Sequence, residues 1–207
     1  MTSYHADMAT RGIHIITTTY GTWLPGDERG HWSPLFDMYG RLRRSGHQLN
    51  AADEVTRRRA QQSMNEPPKR LHEAEQQTVA RVIEDFCRPC DPEHAPDSVA
   101  KKPRWLQAGW QRPLTVHALA IEENHMHLLL GPCQPDIGQV AGRVKSNASS
   151  AVLKIGSNAG RTRVWSTGYW GVFLFDDDAV RAVQDYIENH NVRRGLNRNR
   201  FGFARPI

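Results

Sequence analysis

The sequence predicts an α+β fold: a ferredoxin-like (RRM-like) antiparallel sheet with helices packed on one face, plus an insertion after the first strand. Three observations predict it. Segments of strand and helix character follow in the order β, α, β, β, α, β, α. The two central strand runs are separated only by a short polar break, which fits a β-hairpin. The 207 residues suit one domain, and a hydrophobic share of 39 % leaves much of the chain for surface and loop.

The first strand is Arg11 to Trp23, "RGIHIITTTYGTW", which is β-branched and apolar. The stretch from Leu24 to Arg70 reads as an insertion, because Pro25, Gly26, Gly30 and Pro34 are loop chemistry. Within it, Asp53 to Gln62 is charged and fits a short exposed helix, ended by Pro67 and Pro68. Glu73 to Phe86 places Val79, Val82, Ile83 and Phe86 at helical spacing. A proline-rich loop follows from Cys87 to Trp105. Pro113 to Leu130 is the hairpin, broken at Glu122 to Asn124. Asp136 to Gly156 is a helix with a stripe of Ile137, Val140, Val144, Ala148 and Val152. Tyr169 to Phe175 is a strand, and Asp176 to Asn191 a helix capped and opened by Asp176, Asp177 and Asp178. The domain organisation is a single unit over 1–207, with an insertion over 31–112 and a basic C-terminal tail over 192–207.

The net charge of +5 favours a polyanionic partner such as nucleic acid. "MTSYHADMATRG" has no apolar signal region and no run approaches a membrane span, so a cytoplasmic protein with no membrane partner is expected. Three cysteines, Cys87, Cys90 and Cys133, argue against a disulfide framework. Cys87 and Cys90 with His94, and Cys133 as a fourth, offer ligands for a structural zinc, but the loose spacing and Pro89 and Pro92 favour a plain loop.

The chemistry centres on "ENHMHLLL", Glu123 to Leu130. Residues two apart on a strand share a face, with Cα atoms about 6.6–6.8 Å apart. His125 and His127 can therefore converge on one ion, while Met126, Leu128 and Leu130 face the core. The same pair also fits a solvated sheet face, and two ligands make an incomplete site. In "DYIENHN", Tyr186 and His190 lie at i and i+4, on one face of a helix, with Ile187 turned toward a core stripe with Val180 and Val183. His190 is a candidate third ligand. Tyr186 is a candidate nucleophile, poor at its ordinary pKa near 10 and improved beside a cation that polarises a phosphate.

"ENHMHLLL" followed by "WSTGYWGVFLFDDDAVRAVQDYIENHN" resembles the HUH single-tyrosine transposases of small insertion sequences, and most of all the REP-associated tyrosine transposases. "TYGTWLPGDERG" is similar to the start of one branch of them. The resemblance covers about Gly12 to Gly30 and Leu114 to Arg194. It implies a ferredoxin-like fold that cuts and rejoins single-stranded DNA at or near a hairpin through a 5′-phosphotyrosine. His125 and His127 would be metal ligands and Tyr186 the nucleophile. Where insertion-sequence members carry glutamine four residues after the tyrosine, this chain has His190. The resemblance implies Mg²⁺ or Mn²⁺, whereas three imidazoles alone would suit a softer ion such as Zn²⁺. It implies a monomer or a homodimer.

Strand binding calls for cations and aromatic rings. The helix after the histidine strand offers Arg143, Lys145 and Lys154. The tail interleaves Arg193, Arg194, Arg198, Arg200 and Arg205 with Phe201 and Phe203. The competing reading is a non-catalytic ferredoxin-like nucleic-acid-binding module, since RNA-recognition domains share this topology.

Overall fold

The computed structural model describes residues 10–27, 53–90, 102–133 and 135–207. Alternating apolar residues pair four strands: β1 (Gly12–Thr18), β2 (Val116–Ile121), β3 (His125–Leu130) and β4 (Trp170–Leu174). They form one antiparallel sheet in the order β2-β3-β1-β4, the ferredoxin-like arrangement expected from the sequence. The helices are α1 (Glu54–Gln62), α2 (Glu73–Cys87), the short α3 (Arg104–Gln107), α4 (Ile137–Val152) and α5 (Asp177–Arg193). No helix among the described residues is long and apolar enough to cross a membrane.

One face of the sheet presents Ile13, Ile15, Leu119, Ile121, Met126, Leu128 and Leu130 to a single core. Val79, Val82, Ile83 and Phe86 of α2 and Val140, Val144, Ala148 and Val152 of α4 close that core, as their spacing predicts. Trp105 and Trp110 also plug it, Trp110 packing on Phe86 with ring centroids 5.2 Å apart. The sequence predicts a loop at Trp105. α3 anchors it, and its indole N–H donates to the Arg88 carbonyl at 2.9 Å.

The expectation of helices on one face holds for α2 and α4 only. α5 packs on the opposite face, where Ala118, Ala120, Leu129 and Leu174 meet Val180 and Ile187. The reason is in β3: Leu129 shares the face of His125 and His127 and needs cover. The floor under α5 is kept low by Gly12, Ala118 and Ala120. A Cβ at Gly12 would stand 3.1 Å from Val180 Cγ2 and 3.3 Å from the Leu130 carbonyl. Asp176 caps α5, accepting from the Ala179 N–H at 2.7 Å, as expected.

β1 is shorter than the predicted strand. After the isolated bridge Thr19–Trp165, Gly21 turns the chain at φ +72°, a left-handed conformation that favours glycine. The Asn124 carbonyl fastens the turn, accepting from the Thr19 N–H at 2.9 Å and from the Thr22 hydroxyl at 3.0 Å. Of the span 31–112, residues 31–52 and 91–101 lie outside the described residues, as does His94; α1 buries no residue, while α2 lies in the core. The tail after α5 folds back: Phe201 is buried in the core, and the Arg205 N–H donates to the Val116 carbonyl at 2.8 Å along the edge strand.

A buried ion pair ties α2 to the loops beside it. Lys69 Nζ lies 2.6 Å from Glu75 Oε1, with the side chains 6 % and 1 % exposed. Asn158 joins both groups at 2.6 and 2.8 Å. Burial pushes the Glu75 carboxyl up, but hydrogen bonds from Lys69, Asn158 and the His72 N–H outweigh it and hold the group below its ordinary 4.5. A depressed carboxyl stabilises the fold above its unfolded pKa and loses that contribution as pH falls through the folded one. Stability measured by urea unfolding should therefore fall as pH drops below 4.5, more steeply than in Glu75→Gln. Lys69→Met, which leaves the carboxylate buried and without its cation, should cost about 3–5 kcal/mol at neutral pH.

Candidate active site

Sheet register assembles the site. β1 pairs with β3 so that Ile16 opposes His127 and Thr18 opposes His125. His14 opposes Leu129 and so shares the histidine face. α5 lies across this face, held by its C-terminal turn. Asn191 Nδ2 donates to the Leu119 carbonyl at 3.2 Å, and Arg194 to the Ile121 carbonyl at 2.8 Å. With Ile187 down in the floor, Tyr186 and His190 look toward β3.

The fold brings His125, His127 and His190 together. The ligand atoms of His125, His127 and His190 all lie within 4.8 Å of one another. The Tyr186 ring stands edge-on to His127 at 5.4 Å and to His190 at 4.9 Å between centroids. Tyr186 is 47 % exposed, so the nucleophile candidate is open to a large substrate while His127 is 3 % exposed.

Each histidine of the three has a partner on Nδ1. His125 Nδ1–H donates to Asn124 Oδ1 at 2.7 Å. His190 Nδ1–H donates to Glu122 Oε1 at 2.5 Å. His127 Nδ1 lies 3.1 Å from His14 Nε2. With Nδ1 protonated, neutral His125 and His190 carry their lone pair on Nε2. The Nε2 of His190 is buried with no hydrogen-bond partner among the described residues, which is the state a ligand nitrogen requires. Burial, aided by the charges of His125, His14 and His190, pushes the His127 pKa down to about 2. Its ring is therefore neutral near neutral pH and keeps a lone pair. The donor set fits a divalent ion.

Two site residues were not singled out from the sequence. His14 interrupts the apolar alternation of "GIHII", a signal available in hindsight. Glu122 sat in the hairpin break, where an acidic residue is unremarkable.

The residues expected to bind nucleic acid are scattered. Arg143 and Lys154 are exposed on or beside α4, across the sheet from the histidines, and Arg193 is exposed on α5 itself. Lys145 is turned inward, donating to the carbonyls of Ser166 at 2.6 Å and Gly168 at 2.5 Å, and burial lowers its pKa to about 8. Arg198 pairs with Glu188 and Asp185, Arg200 with Glu73, and Arg194 is bonded to β2 and Gln76. Phe201 is buried and Phe203 partly so, which removes the Phe201 ring from any stacking surface.

Residues 107–190 match the model of the family described as transposase IS200 like. The matched segment contains His125, His127 and Tyr186 and ends on His190, and so takes in the motifs that carry the resemblance. Among solved structures, the chain is similar to a REP-associated tyrosine transposase bound to a REP hairpin, at 15 % identity and TM-score 0.43, covering 94 % of this chain and 75 % of that one. It is also similar to a protein of Deinococcus radiodurans R1 assigned as a transposase, at 14 % identity and TM-score 0.39, covering 92 % and 98 %. No curated protein sequence matches it.

Replacing His125, His127 or His190 by alanine should lower Mn²⁺ affinity by more than the roughly 10–100-fold typical of losing a partner behind a ligand. Titration calorimetry on the metal-free protein measures this, and Tyr186→Phe should leave the affinity as it is.

Proposed function

We propose that this chain is a metal-assisted, HUH-type single-stranded DNA endonuclease and strand transferase, cutting at or near hairpins. The observation that carries the reading is the Tyr186 ring standing edge-on to His127 and His190. The family match over residues 107–190 agrees with it.

A divalent ion, Mg²⁺ or Mn²⁺, held by His125, His127 and His190 would supply Lewis-acid polarisation of the scissile phosphate. The chain's residues do the rest. α5 aims the phenol of Tyr186 at the phosphate and leaves it exposed to the strand. The phenol oxygen attacks phosphorus, its proton passing to solvent, and the bond from phosphorus to the 3′ oxygen breaks. That oxygen takes a proton and leaves as a free 3′-OH. The 5′ side stays on Tyr186 as a phosphodiester. A second 3′-OH reverses the step, so joining needs no ATP. Arg193, on the helix of the nucleophile, is the nearest of the expected cations along the chain to take a flanking phosphate.

One observation weighs against the non-catalytic module. RNA-recognition domains stack bases on an open sheet face. Here α5 covers that face with Val180 and Ile187.

The test is a denaturing gel. The protein, with Mn²⁺ and a pool of hairpin-bearing oligonucleotides, should yield a covalent protein–DNA adduct that Tyr186→Phe does not form. An adduct that persists in Tyr186→Phe assigns the nucleophile elsewhere. Retention of DNA without any cut by the wild type favours the binding module.

A further inference from the structure

His14 is buried, at 6 % exposure, in a strand where only apolar neighbours would be expected. Nothing in the cleavage chemistry above uses it. Its Nε2 lies 3.1 Å from His127 Nδ1, and the two rings stack with centroids 5.2 Å apart.

The other two ring nitrogens in the equivalent position face oxygen. Asn124 Oδ1 and Glu122 Oε1 can only accept, so His125 and His190 must each carry a proton on Nδ1. Their Nε2 lone pairs are thereby set. His127 faces a nitrogen, and chemistry alone allows either ring to donate. If His14 donated, the proton of neutral His127 would sit on Nε2 and block ligation. Only with His14 as acceptor do all three rings present a lone pair together.

We propose that His14 is a positioning residue for His127: its Nε2 accepts the Nδ1–H of His127, fixing the tautomer and orientation in which His127 Nε2 faces the metal position. The inference rests on the metal reading given above. It completes a set of three partners, Asn124, His14 and Glu122, one behind each ligand. Such partners normally affect metal affinity nearly as ligands do.

Two readouts separate this role from simple packing. Long-range ¹H–¹⁵N spectra of the metal-free wild type should place the His127 proton on Nδ1. Mn²⁺ affinity by calorimetry should fall about 10–100-fold in His14→Leu, which fills the space but cannot accept. His14→Gln, whose Oε1 can accept, should recover most of that affinity. Finding the wild-type proton on Nε2 overturns the proposal, as does unchanged affinity in His14→Leu. A loss in His14→Gln as deep as in His14→Leu also overturns it, because hydrogen-bond acceptance would then not be what His14 supplies. Should His14→Leu fail to fold, the wild-type spectrum and the glutamine variant decide the question. If the wild type binds no metal, the metal reading fails while the spectrum still tests the hydrogen bond.

Discussion

Everything at the site depends on how closely α5 approaches the sheet. Gly12, Ala118 and Ala120 leave no side-chain bulk beneath it, and Val180 and Ile187 fill the space, both fully buried. Burial of each such side chain contributes about 1.5–3 kcal/mol. Asn191 and Arg194 then fix the far end of the helix to the carbonyls of Leu119 and Ile121. The position of Tyr186 over the histidines is a by-product of this packing. A bulkier floor would lift Tyr186 and His190 together, with no change at either residue.

The same face is apolar at one end and polar at the other. Leu129, Ala118 and Leu174 give way along the strands to His127, His125 and Glu122. Low-dielectric surroundings keep the His127 ring neutral, while Tyr186 stays in contact with solvent. Buried imidazoles beside an exposed phenol suit the proposed reaction on a long polymer, which has to reach the phenol without passing through a deep pocket.

The parts of the site that lie on one element were legible in the sequence. Strand periodicity placed His125 and His127 together, and helical periodicity placed Tyr186 with His190. The stripes of α2, α4 and α5 and the acidic cap of α5 were legible for the same reason: they are local. What escaped was set by pairing between distant segments. His14 joins the site through the β1–β3 register, which one sequence does not state. Glu122 reaches His190 across 68 positions of chain. The tail shows the opposite failure. Its arginines and phenylalanines read as a surface for nucleic acid, yet Phe201 is core, and Arg198 and Arg200 are bound to Glu188 and Glu73. Composition reports which side chains a segment owns, and not which acidic partners the fold brings to them.

The three clustered histidines and their partners come from β1, from the β2–β3 turn, from β3 and from α5, spanning positions 14 to 190. No shorter piece of the chain contains them all, so the site comes into being only with the completed fold. A cation that binds this arrangement and not the unfolded chain acts as a clasp between the first strand and the last helix. By mass action it would raise the unfolding free energy by about 2.7 kcal/mol at a hundredfold excess over its dissociation constant. Heat resistance would then track metal supply.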